Sequence, residues 1–221
     1  DSWVVAAEAA VDTGMTGHRM QIGPGASAPK PGHHHHHHSH HHYADIRRTL
    51  ETSDLDGPVL KRALELVHII AATEARVRGV DGESVALHEV GDLDSLADMV
   101  GAAFLIEALS PCSWSVSPLP VGGGFIQAAH GRMPVPAPAT QLLLQGFDFV
   151  DDGVSGERIT PTGAAILNHL APAGRLPGGR WTGTGSGQGF GTRQLDGMAN
   201  MLRVRFYPPA TDSGPSDQRV A

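Results

Sequence analysis

The chain has 221 residues, of which 28 are glycine and 16 proline; that is about one residue in five, against about 12 per cent in average proteins, so much of it is loop around one substantial core. Its formal charge is −7 and its sixteen basic residues never gather into a stripe, which excludes the electrostatic footprint of a nucleic-acid binder. Cys112 is the single cysteine, which excludes an internal disulfide and a zinc site of paired thiolates and points to a cytoplasmic home.

The chain opens at Asp1 without a methionine, so its true N-terminus is expected to lie elsewhere. The acidic start lacks the basic residues of a signal peptide, and the longest apolar stretch, Met99 to Ile106, is too short to span a bilayer, so no membrane partner is expected. Residues 1–23 read as a remnant with a short apolar helix over Val4 to Val11 and a strand around His18 to Ile22. Residues 24–42 have no apolar periodicity and read as a flexible, histidine-rich linker.

That linker holds nine histidines in ten positions: His33, His34, His35, His36, His37, His38, His40, His41 and His42, broken by Ser39. Neutral imidazole is a good ligand for nickel, copper and zinc. Adjacent histidines on mobile backbone fix no single coordination geometry, so the tract fits exchangeable loading of a metal better than a catalytic centre. An internal purification tag is the competing explanation.

Residues 43–207 are expected to form an α+β domain, helical over 43–109 and strand-rich over 112–207, the two parts sharing one core, with 208–221 as a disordered tail. The strongest helix starts with Asp56 as N-cap and Pro58 in the first turn, buries Leu60, Ala63, Leu64, Val67, Ile70 and Ala71, and stops near Gly79. A second helix, Ser95 to Leu109, packs on it through Leu96, Met99, Val100, Ala103, Phe104 and Ile106, with Ser95 and Asp98 in capping-box spacing. Trp114 to Leu119, Gly124 to Ala128 and Phe147 to Val150 are strand candidates. Pro138 to Gln145 and the segment from Thr160-Pro161 to Leu170 are short helices.

Two segments concentrate reactive groups. Leu87 to Asp98 carries His88, Glu89, Asp92, Asp94 and Asp98 at a helix start; these can build a metal or acid/base site, or the aspartates can simply cap the helix and complement its dipole. His130 and Arg132 lie on a proline-stiffened loop feeding the helix at Thr140, and Thr160 with Thr162 opens the next. Free backbone N–H groups at such ends favour phosphate or carboxylate, although most helix ends are merely capped. The glycine run 183–191 satisfies neither the Rossmann nor the Walker spacing and reads as a flexible loop. His68 reads as a packed or interface histidine, and Cys112 as structural.

Taken in order, His33 to His42, His88-Glu89-Val90-Gly91 with Asp94-Ser95, Ser117-Pro118-Leu119-Pro120, His130-Gly131 with Pro134 to Thr140, and Thr160-Pro161-Thr162-Gly163-Ala164-Ala165 are blocks of the nickel-insertion proteins of lactate racemase cofactor synthesis. From about Thr16 to Arg203 the chain resembles the N-terminal region of that family. An internal histidine tract is a habit of the family, which weighs against the tag.

The resemblance implies a cyclometallase, a chelatase-type lyase that inserts nickel into pyridinium-3,5-bisthiocarboxylic acid mononucleotide with formation of one nickel–carbon and two nickel–sulfur bonds. It implies nickel loading by the histidine tract, an inner site of His88, Glu89, Asp94 and His130, and substrate-phosphate contacts from Arg132, Thr140, Thr160 and Thr162. CTP and a divalent cation would be bound by a C-terminal domain outside these residues. The product would pass to apo lactate racemase or a similar nickel-pincer enzyme, and a homo-oligomer is compatible with the family. Arg193-Gln194 and Met198-Ala199-Asn200 stand where the family favours Arg-Asp and Arg-Pro-Asn, and its opening glycine-rich Asp-Met block is absent. A nickel storage or chaperone module without chemistry is the alternative.

Overall fold

The structure, a computed structural model, describes residues 3–24, 42–87, 93–128, 131–174, 176 and 180–208. In chain order its elements are β1 (Trp3–Asp12), β2 (Met15–Pro24), α1 (Tyr43–Glu51), α2 (Gly57–Arg78), α3 (Leu93–Ala108), β3 (Leu119–Pro120), β4 (Gly122–Gly123), β5 (Phe125–Ala128), β6 (Gly131–Pro134), α4 (Pro138–Leu143), β7 (Phe149–Val150), β8 (Gly156–Glu157), α5 (Pro161–Leu170), β9 (Gly185–Phe190) and β10 (Met201–Phe206). The class is α+β, as the sequence indicates. Two compact units form, Asp1–Pro29 with Pro177–Ala221, and Lys30–Leu176. Of the expected 43–207 domain, residues up to 176 fall in the second unit, and β9 and β10 join the sheet of the first.

The first unit is a four-stranded sheet in the order β1-β2-β9-β10. Val4 to Val11 is a strand, not the expected helix. The apolar run carries too little periodicity to separate the two states, and the turn at its end decides between them. Thr13 and Gly14 both take positive φ, 48° and 76°, the backbone of a two-residue hairpin turn whose twist suits paired strands. Asp12 then faces Met15, and the ladder runs back to Trp3 opposite Pro24.

The glycine run also departs from expectation, since Gly185–Phe190 is a strand flanked by β2 and β10. Small residues allow close approach at the crossing with β2. A Cβ placed on Gly17 would sit 2.8 Å from both the carbonyl oxygen of Gln188 and the ring of Phe190, and Phe190 is 6% exposed.

In the second unit α2 is the hub, in contact with α1, α3, α4 and α5. Asp56 precedes it, Pro58 lies in its first turn, and Gly79 ends it in the left-handed region at φ 67°. Its buried face is wider than the expected stripe: Val59, Leu66 and Ala75 join Ala63, Val67, Ile70 and Ala71, while Leu60 and Leu64 are half-buried. Helix α3 begins at Leu93, so Ser95 lies inside the first turn and is not an N-cap. Met99, Ala103 and Ile106 are buried, whereas Phe104 points to solvent.

Trp114 to Leu119 pairs regularly only at its end, Leu119 with Phe149, in parallel; an isolated bridge joins Ser115 to Ala173. Nearby Pro111, Pro118 and Pro120 remove ladder donors. Strands β5 and β6 form an antiparallel hairpin, and α4 and α5 start at the expected prolines. Among the described residues no helix is long and apolar enough to cross a membrane.

The close approach at Gly17 makes a direct test. Gly17→Ala is expected to destabilise the sheet by about 1–3 kcal/mol through overpacking, read as a lower denaturation midpoint.

Candidate metal-handling site

The carboxyl end of the histidine tract is tied to the segment that leads into His88. His42 immediately precedes α1, and its Nδ1 is 3.1 Å from the carbonyl oxygen of Ser84. A carbonyl can only accept, so Nδ1 is the donor in this contact. Beside it the backbone N–H of Tyr43 donates to Val85 at 3.0 Å, and His42 bridges Ala86. Arg78, in the last turn of α2, donates from Nη1 to the Ala86 carbonyl at 2.8 Å. Val85 and Leu87 are 1% and 2% exposed. His88 follows Leu87 directly in sequence.

His33 to His41 without Ser39, His88, Glu89 and His130 lie outside the described residues. Asp94 is described and exposed in the first turn of α3. Partial desolvation, and secondarily the like charge of Asp94 four residues away, push the Asp98 carboxyl above its ordinary value. Among the described residues no group of three or more His, Cys, Asp or Glu could hold a metal ion.

The anion-binding candidates divide. Thr160 caps α5, its hydroxyl accepting from the Gly163 N–H at 3.2 Å, with Thr162 half-buried in the first turn. Arg132 lies in the β5–β6 hairpin with its guanidinium 3.9 Å from the Phe125 ring centroid, a cation held on an aromatic face. Thr140 is fully buried in the short helix α4, and its hydroxyl has no hydrogen-bond partner among the described residues. Helices α4 and α5 pack together, and Asn168 on α5 donates to the Leu143 carbonyl at 2.9 Å. The structure thus brings Thr140 and Thr160 onto adjoining helices with one hydroxyl enclosed and the other outside.

Two clusters emerge only in the fold, the first around His68, which the sequence reads as packed or at an interface. His68, exposed, lies with its Nδ1 3.2 Å from the Tyr43 hydroxyl on a groove of about 440 Å³ shared with Leu60, Lys61, Leu64 and Glu65. Arg62 on α2 donates to Glu107 on α3 at 2.7 Å and lies 3.1 Å from Nε2 of His169 on α5. The other ring nitrogen of His169 is 3.8 Å from Glu65. Burial lowers the His169 pKa; Glu65 opposes that shift and Arg62 adds to it. Only the meeting of three helices creates this cluster, so no local signal could have disclosed it.

The sequence signature described as "Nickel insertion protein" matches residues 1–221. The chain belongs to the nickel insertion protein family. A Geobacter metallireducens protein named for nickel insertion is 46% identical over 163 residues, covering 73% of this chain and 41% of that protein. One from Geobacter sulfurreducens is 47% identical over 162 residues, covering 73% and 42%. A protein of Akkermansia muciniphila, named pyridinium-3,5-bisthiocarboxylic acid mononucleotide nickel insertion protein, is 44% identical over 162 residues, covering 73% and 39%. The chain therefore spans about two fifths of the length of the curated relatives it matches. No solved structure matches it.

Two measurements probe these environments within the family fold. Thr140→Val should leave stability unchanged or raise it, because a buried hydroxyl without a partner is replaced by a methyl of similar shape; a loss above about 1 kcal/mol would reveal a partner for that hydroxyl. The His169 pKa is lowered in the fold, so as the pH falls the unfolded chain takes up the proton first. Stability should be fully present above about pH 6.5 and decline as the pH falls below it, levelling once the folded form is also protonated. Denaturation midpoints of the protein and of His169→Gln across pH 5 to 7.5 check this, with the shallower slope expected for the variant.

Proposed function

We propose that this chain is the nickel-loading and insertion part of a cyclometallase acting on pyridinium-3,5-bisthiocarboxylic acid mononucleotide. Family membership supports the reading, and one geometric observation carries it: His42, the last imidazole of the tract, is hydrogen-bonded to the segment that enters His88-Glu89. Ala86 is two residues from His88, within about 7 Å of extended chain. Nickel gathered by the tract has a short route to the inner site.

In this reading the neutral imidazoles of His33 to His42 take up nickel, with Nε2 of His42 available while its Nδ1–H is held by Ser84. His88, Glu89, Asp94 and His130 form the inner site. As nickel bonds to the pyridinium ring carbon, that carbon gives up a proton, and a carboxylate or imidazole of this set receives it; the two thiocarboxylate sulfurs close the remaining bonds. Arg132, Thr160 and Thr162 hold the substrate phosphate by charge and by the N–H groups at the start of α5. CTP and a divalent cation are assigned to the family's C-terminal domain, because residues 1–221 contain no Walker or Rossmann pattern. The setting is cytoplasmic and the recipient is apo lactate racemase or a similar nickel-pincer enzyme.

Loading and chemistry should separate. Deleting residues 33–41 is expected to remove most of the nickel measured by equilibrium dialysis, with more than one equivalent lost, and to leave the melting temperature without metal nearly unchanged; unaltered stoichiometry would sink the loading role. In the protein completed by the family's C-terminal domain, His88→Ala and His130→Ala should keep bulk nickel uptake yet impair activation of apo lactate racemase in the presence of nickel, CTP and the mononucleotide. Full activation by both variants would return these histidines to the scaffold and favour a storage module.

A further inference from the structure

Every aspartate, glutamate and arginine of the four-stranded sheet stands on one of its two faces. Side chains alternate along a strand and residues paired across strands share a side, so the registers place Glu8, Asp12, Arg19, Arg203 and Arg205 on the same face as the buried Phe190. The opposite face carries no carboxylate or guanidinium, and His18 is its one titratable side chain. It is also exposed: Leu202 is 72%, Val11 68% and Val5 61% accessible, and Met20 and Phe206 on the same side are exposed as well. That reverses the ordinary case, in which a sheet with one face in water turns its polar residues there. Among its described residues the first unit has no helix to lay over this face, and the apolar face of a sheet is stable only when buried against another layer.

Size and relief both suit a second copy of the same sheet. Strands of 10 residues in β1 and β2 and of 6 in β9 and β10, at about 3.3 Å per residue and about 4.8 Å between strands, give a flat footprint of about 500 Å², and the side chains standing on it raise the accessible area further. Standard complexes bury about 800 Å² per partner and transient ones less than about 600 Å². On β9 the face presents only Gly185, Gly187 and Gly189, and a Cβ on Gly187 or Gly189 would meet nothing within 4 Å, so this strand is an open trough. The middle of the β1 row is likewise low, at Ala7 and Ala9, whereas Met20 and Ile22 rise from β2 and Leu202 and Phe206 from β10. In the strand order β1-β2-β9-β10 the rows therefore run low, high, low, high. Turned over about a two-fold axis that runs parallel to the strands between β2 and β9, the sheet meets itself with each high row above a low one, β2 on β9 and β10 on β1. Charge does not oppose the approach, because the carboxylates and guanidinium groups lie on the far side.

We propose that this face is the interface of a homodimer, in which two copies of the chain pack their four-stranded sheets face to face. Stacked sheets lie about 10 Å apart with their strands nearly aligned, which is the orientation that the alternating rows select. A two-fold pairing uses the same patch on both copies and closes on itself, so association stops at two. The dimer depends on the sheet alone and stands independently of the nickel chemistry.

Analytical ultracentrifugation of the 221-residue chain tests this, with a chelator present so that imidazoles bridge no copies through a metal. The wild-type chain should form dimers at micromolar concentration. Leu202→Lys changes a side chain that is exposed in the single chain, so it should leave the fold intact while the charge it would bury weakens dimerisation by at least about tenfold. Gly187→Val suits a strand yet fills the trough, and should also weaken the dimer by about tenfold or more through overpacking, with the melting temperature of the dilute monomer unchanged or raised. Gln21→Lys, exposed on the charged face, should dimerise as the wild type does. A wild-type chain that stays monomeric overturns the proposal and leaves the face to a different occupant. So does assembly that grows beyond the dimer, or a dimer equally tight in Leu202→Lys, Gly187→Val and wild type.

Discussion

Burial of one face of α2 is the constraint on which the helical unit depends. Ala63, Leu66, Val67, Ile70 and Ala71 are each at most 1% exposed, and helices α1, α3, α4 and α5 all lie against this one helix. Burying a Leu, Val or Ile side chain stabilises by about 1.5–3 kcal/mol. The alanines at 63 and 71 let neighbouring helices approach between these larger side chains. With α2 fixed, α1 follows through Ile46 and Leu50, α3 through Met99 and Ala103, and α5 through Ala164 and Ala165.

The same helix organises the polar groups near its two ends. Toward its start, Arg62 reaches Glu107 and His169 and so joins α2 to α3 and α5. In its last two turns, Glu74 and Arg78 reach the Ala86 carbonyl and so join α2 to the approach to His88. Each contact carries an ionised group into a partly dry setting, where it is worthwhile only if its hydrogen bonds are met. An apolar core alone would leave the helices free to slide by small amounts. These directional contacts select one arrangement.

A division of labour suits a protein of the nickel insertion family. Gathering an ion calls for many interchangeable donors, and a run of imidazoles serves that purpose. Forming bonds to one substrate calls for few donors in fixed places. In the proposed reading His42 links the two regimes, since it ends the tract and its ring is hydrogen-bonded to the Ser84 carbonyl.

Local signals were sound at several helix ends and failed at others, as at Ser95, which lies inside α3. The stop of α2 at Gly79 and the start of α5 behind Thr160-Pro161 are capping chemistry contained in a few neighbouring residues, whereas α2 starts behind Asp56 and Pro58 without a capping hydrogen bond from the Asp56 side chain. The histidine tract and the ordered motif blocks likewise belong to the sequence itself, along which the family signature matches. Contacts between distant residues settled the rest. Val4 to Val11 became a strand because a two-residue turn supplied it with β2 as partner, and a glycine run became β9 because β2 and β10 flank it. Phe104 faces solvent and the Thr140 hydroxyl is sealed because the packing of neighbouring helices, not periodicity within one, decides which side is inside. The sequence by itself determined the local elements and the chemistry available; only the tertiary structure decided which residues meet, since Arg78 and Ala86, or Arg62 and His169, become neighbours only when separate elements share one core.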